Sequence, residues 1–200
     1  MIRVTMRLSP SLAVRMAFPD PEFDPDDNFA NGFHAAADEL DDDATVEALV
    51  WQLLLLINPG DEDAALQQFT AYQDSVADGG ADDVEPVWLL KDVIDWKSGF
   101  HVDDADPATC IDAITELAAR WNLRIDWGAE DVGDDDFLAN ADVASLLGVA
   151  FDRLREHGYT LWTWDTGTDA TAGWITLARD DEAMRVVAGE LGIDVRTAAA

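Results

Sequence analysis

Lysine is almost missing from this chain. Lys91 and Lys97 are the only two, and with the arginines the basic total is 12 against 42 acidic residues, a formal charge of −30 over 200 residues. Nucleic acid is bound largely by neutralising phosphates with Lys and Arg, so neither DNA nor RNA is an expected partner. Anionic leaflets are repelled in the same way, and no basic amphipathic stretch offsets this. A single cysteine, Cys110, excludes an internal disulfide and suits a reducing cytosol. It falls on the apolar side of a predicted helix, which makes it core filler rather than nucleophile. The longest apolar run, Leu49 to Ile57, is interrupted by Gln52 and is too short to span a bilayer. Met1 to Met16 carries Arg3, Arg7 and Arg15 in an apolar setting, but Arg15 interrupts it and no small-residue cleavage site follows, so it does not read as a secretory leader. A cytoplasmic location is expected. No phosphate-cradling glycine loop, paired-cysteine zinc pattern, nucleophile elbow or dinucleotide fingerprint occurs, and no cofactor is expected.

Aspartate is abundant instead. Part of it punctuates helices: Asp43, Asp61, Asp106, Asp136 and Asp180 stand where helices should begin, and carboxylates there accept orphan amide hydrogens. The remainder has two readings. One is solubility or adaptation to high salt, in which case stability should rise steeply with added salt as self-repulsion is screened. The other is a surface that captures a cationic partner and speeds its arrival.

Residues 1–19 hold three arginines and no acid, whereas 20–43 hold ten acids and no base. That break, with Pro19, Pro21 and Pro25, predicts a weakly ordered acidic tail over 1–43, or a start at Met16, followed by a single domain over 44–200. Helical periodicity runs from Ala44 through Leu49, Leu53 and Ile57 to a stop at Asn58, Pro59 and Gly60. A second helix follows from Asp61 and a third over Val84 to Ile94. Beyond Gly99 the pattern alternates: a strand at Phe100 to Val102, a helix from Pro107 to Trp121, a strand from Leu123 to Trp127, and a helix from Asp142 to His157. A hairpin of Tyr159 to Trp164 with Gly173 to Ala178, a helix from Asp181 to Leu191 and a short strand at Ile193 to Val195 complete it. The fold class is α+β: a small mixed sheet covered by helices, preceded by a helical N-terminal half.

The segment Trp88 to Asp104 concentrates the unusual residues. It holds both lysines, His101, three aromatic rings and four acids. For an enzyme the candidate catalytic groups are Lys97, His101 and Asp103. The bland alternative is a helix-to-strand junction in which the lysines pair with Asp92 and Asp95. A metal on His101, Asp103, Asp104 and Asp106 matches no defined ligand spacing, and none is expected. His157 suits a cation at a helix C-terminus. Asp165, Thr166 and Gly167 match the triplet of aspartic proteases, but one copy is present and a hairpin connection explains it. Eight tryptophans are many for 200 residues. Trp162, Trp164 and Trp174 fall on one sheet face. Facing inward they are core; facing outward, with Asp165 beside them, they form an aromatic platform for a basic protein partner.

The strings Trp88 through Phe100, Arg124 to Gly128 and Tyr159 to Gly167 resemble a family of uncharacterised bacterial proteins, a domain of unknown function. The resemblance covers about Val46 to Arg196, implies a bacterial cytosolic origin and carries over no catalytic residue. The reading that follows is a non-enzymatic interaction module with an acidic, Trp-rich surface, comparable by charge alone with immunity proteins that neutralise cationic toxins. The alternative is a small hydrolase or other enzyme centred on Lys97, His101 and Asp103.

Overall fold

Asp61 and Asp106 each precede a helix whose first amides need an acceptor, and each supplies it: Asp61 Oδ1 accepts from Ala64 N at 3.0 Å, Asp106 Oδ1 from Thr109 N at 3.0 Å. The computed structural model describes residues 44–80 and 86–199. The expected tail over 1–43, with Asp43 and Met16, lies outside the described residues. Helix α1 spans 44–57. It is followed by α2 (Glu62–Ser75), a π-helical turn at Val76–Gly80, α3 (Pro86–Val93), β1 (Gly99–Asp103) and α4 (Pro107–Ala119). Then come α5 (Asp135–Asn140), α6 (Val143–Glu156), β2 (Tyr159–Asp165), β3 (Ala170–Leu177), α7 (Asp181–Glu190) and β4 (Val195–Thr197).

The four strands form one sheet in the order β1-β3-β2-β4, and every pairing is antiparallel, so the sheet is antiparallel rather than mixed. Helices cover both of its faces. On one face Trp162, Trp164 and Trp174 pack against Leu54 of α1, Leu90 of α3 and Met184 of α7. On the other, Leu161, Ile175 and Phe100 meet Ile114 of α4 and Leu147 and Leu154 of α6. Each fully buried aliphatic side chain contributes about 1.5–3 kcal/mol relative to exposure. The second helical layer corrects one expectation. The tryptophans were to be either core or platform according to which face the helices covered, and because both faces are covered, both side-chain rows are buried. Trp162, Trp164 and Trp174 are 1%, 6% and 2% exposed and present no platform.

Three further expectations change. The α5 cap is Asp134, which accepts from Asp136 N and Phe137 N, and not Asp136. Asp180 precedes α7 without making a side-chain cap bond. Leu123 to Trp127 forms no strand. Its alternation is real, with Leu123, Ile125 and Trp127 turned toward the α4–α6 core and Arg124 and Asp126 exposed. Alternation reports which side is buried; a strand also needs a neighbour to share its amides, and this segment pairs with none of the four strands.

Cys110 sits in that same core, and burial, assisted by the negative charge of Asp104 and Asp106, pushes its thiol up to about 12. Iodoacetamide at pH 8 should therefore leave the native protein unmodified and add one label only after denaturation. Rapid native labelling, followed by mass spectrometry, would contradict this burial.

Candidate functional site

The turn between α3 and β1 is built by one aspartate, through both its side chain and its backbone carbonyl. Asp95 accepts from Lys97 N at 3.0 Å through its side chain, while its carbonyl accepts from Ser98 N and Gly99 N at 2.9 and 3.0 Å. Ser98 is buried and donates to Asn58 Oδ1 at 2.6 Å; Gln68 Nε2 donates to Ser98 Oγ at 2.8 Å and Asn58 Nδ2 donates to Gln68 Oε1 at 2.9 Å. Arg120, just beyond α4, donates to Asn58 Oδ1 at 3.0 Å and to the Ile57 carbonyl at 3.3 Å. Burial draws this guanidinium below its ordinary value, against the pull of Asp61 and Asp95. The network joins α1, α2, the turn and α4, and it fixes the start of β1 between two helical layers. Every buried side chain in it has a partner, as a buried polar cluster requires.

β1 is an edge strand, and a groove of about 400 Å³ runs along it. Ile94, Trp96 and Lys91 form one wall. Thr109, Asp112, Ala113 and Glu116, at helical steps of three and four on α4, form the other. Trp164 and Trp174 lie in its lining. Trp164 is braced edge-on by Trp88, with ring centres 5.6 Å apart. Trp174 keeps a buried Nε1–H with no acceptor among the described residues, although Trp162 directly opposite donates to Thr176 Oγ1 at 2.9 Å. Trp96 is the most exposed large apolar side chain described, at 63%.

The expected catalytic trio does not converge here. His101 is exposed and lines the groove, whereas Lys97 and Asp103 are absent from its lining. The Lys97 ammonium lies 5.4 Å from the Trp96 ring, and Asp103 Oδ1 accepts from Ala105 N at 2.8 Å. Lys91 is the lysine that reaches the groove; it rests 5.4 Å from the Trp88 ring and 3.9 Å from Asp92. No group of three or more metal-ligating side chains converges among the described residues. The Asp165 to Gly167 triplet is a turn, in which Asp165 Oδ1 accepts from Gly167 N at 2.8 Å and Gly167 takes φ 69°. Asp165 itself is exposed. Sequence reasoning did not single out Asp112 and Glu116, which line the groove from α4. Their polar stripe beside the inward residues of that helix was the available signal, but nothing in the sequence says that α4 lies along an unpaired strand.

Fold and groove together define a three-layer α+β protein with a strand-edge cleft. Residues 49–198 match the family model described as Domain of unknown function (DUF6630), and the chain belongs to that family. No curated protein and no solved structure matches it. No helix among the described residues is long and apolar enough to cross a membrane.

Proposed function

We propose that this chain is a non-enzymatic interaction module that captures a cationic protein partner, and that the groove beside β1 is where the partner docks. The observation that carries the reading is the α4 wall. Asp112 and Glu116 stand one helical turn apart, exposed, on the rim of a cleft with aromatic rings in its lining. The charge of −30 supplies a field that draws positive surfaces inward, and the groove supplies a place where cations meet carboxylates beside indole faces. Trp96 contributes the exposed aromatic contact that buried Trp162 cannot. Enzymatic chemistry would require His101 to meet a second titratable group of the trio, and Lys97 and Asp103 point to local contacts instead.

The test separates a docking site from general attraction. A hexapeptide alternating arginine with valine is titrated by calorimetry against the parent, the Asp112→Lys/Glu116→Lys pair, and an equally charged control pair, Asp131→Lys/Asp152→Lys, away from the groove. The groove pair should weaken binding about tenfold or more and the control about twofold, since only close charge pairs change affinity strongly. Equal losses in both pairs would leave only a diffuse field and remove the site.

A further inference from the structure

The hydrogen-bond phase of the sheet shows which side of β1 is unused. Beyond the end of β1, Asp104 N donates to Asp169 O at 3.0 Å, which extends the Asp103↔Ala170 register by one residue. In an antiparallel ladder the residues that exchange both bonds alternate with those that exchange none. Val102 and Phe100 therefore pair with β3, and Gly99, His101 and Asp103 direct their backbone groups away from the sheet. Two of those groups are taken: Gly99 N donates to Asp95 O, and Asp103 O accepts from Asp106 N. The Gly99 carbonyl, both backbone groups of His101 and the Asp103 amide have no partner among the described residues. They follow one another along the edge, and Gly99 and His101 lie in the lining of the groove.

We infer that the partner binds as an added β-strand: an extended segment with basic residues at alternate positions pairs its backbone with His101 and extends the sheet beyond β1. This rests on the reading above and specifies how the partner is held. Backbone bonding to a free edge supplies affinity, and alternate side chains supply recognition. In an added strand, one set of side chains would face α4, where Asp112 and Glu116 stand, and the intervening set would face Trp96 and Trp164. The side toward α4 thus calls for arginine or lysine and the other side for apolar or aromatic residues. A second copy of this chain is a poorer occupant, because it would bring another −30 to an already acidic rim. Unguarded edges are usually blunted by shortness and charge. Here the five-residue edge is also flanked by a fitted cleft.

His101→Pro provides the decisive variant. Its amide faces away from the ladder, so proline removes a free-edge donor without removing a sheet bond, as edge strands tolerate. His101→Ala measures the share of binding owed to the imidazole. With the arginine–valine hexapeptide, His101→Pro should bind roughly tenfold more weakly than His101→Ala. Two N-methylated peptides keep the test independent of that variant's folding. Methylation of one alternate set of peptide amides should weaken binding by roughly tenfold, and of the other set far less. The His101 and Asp103 amides of the parent should exchange more slowly when the peptide is bound. Equal binding of both methylated peptides, with exchange unchanged, overturns strand addition, while a surviving dependence on Asp112 and Glu116 leaves the cation-capturing reading intact. Loss of that dependence as well removes both. A dimer by sedimentation with the His101 amide already protected would show a second copy on the edge and overturn the inference.

Discussion

Gly173→Val should leave no cooperatively folded protein, and Gly173→Ala should be severely destabilised. Gly173 lies in the middle of β3, opposite Thr163 on one side and Phe100 on the other. A β-carbon there would fall inside the contact radius of the Trp162 carbonyl oxygen and within 2.9 Å of the Phe100 ring. A flexible side chain could turn aside. The Trp162 carbonyl belongs to β2, one of the two interior strands of a sheet buried on both faces, and moving it disturbs the β2–β3 ladder. Overpacking a core typically costs about 1–3 kcal/mol, and a clash with backbone belongs at or above the top of that range. In a protein of this size 1 kcal/mol shifts the melting temperature by about 2–4 °C, so Gly173→Ala should melt roughly 6–12 °C below the parent. The valine, with two more carbons, should consume most of a total stability of order 5–15 kcal/mol. Thermal melts followed by circular dichroism measure both. An alanine variant melting within about 2 °C of the parent would mean that β2 and β3 do not approach so closely.

Much of this architecture is legible in the residues. The stop at Asn58, Pro59 and Gly60, the caps at Asp61 and Asp106, and the periodicity of α6 all have local causes, and they place the helices within one or two residues. Tyr159 to Trp164 and the strand that follows it also read correctly as a hairpin, since the Asp165 to Gly167 turn is local. What escaped depends on partners distant in sequence. Leu123 to Trp127 has the pattern of a strand and lacks one beside it. Asn58 was read as a helix stop, although its buried amide also closes a network with Gln68, Ser98 and Arg120, residues 10 to 62 positions away. The groove escaped for the same reason. That β1 is an edge, and that α4 lies beside it, are properties of strand order, and no short stretch of residues encodes strand order.

Trp162→Ala and Trp96→Ala should separate two roles that the sequence assigns to one residue type. Trp162 is 1% exposed, pairs across the strand with Trp174, donates to the buried hydroxyl of Thr176 and lies 5.2 Å from the Arg185 guanidinium. Its removal opens a large cavity and leaves Thr176 without that donor, and large aromatic deletions in cores cost about 3–5 kcal/mol. The expected fall in melting temperature is roughly 6–20 °C. Trp96, 63% exposed on the groove wall, should change stability by no more than about 0.5 kcal/mol, as surface substitutions usually do. Its loss should appear in binding instead, because an exposed indole beside carboxylates offers a face to an incoming apolar or cationic side chain. Paired denaturation and peptide titration of the two variants distinguish the roles. Had the indoles of β2 formed an outward platform, Trp162→Ala would be nearly silent in denaturation and costly in binding. The opposite pattern follows from a sheet covered on both faces, where the most exposed aromatic ring among the described residues, Trp96, stands beside the edge strand.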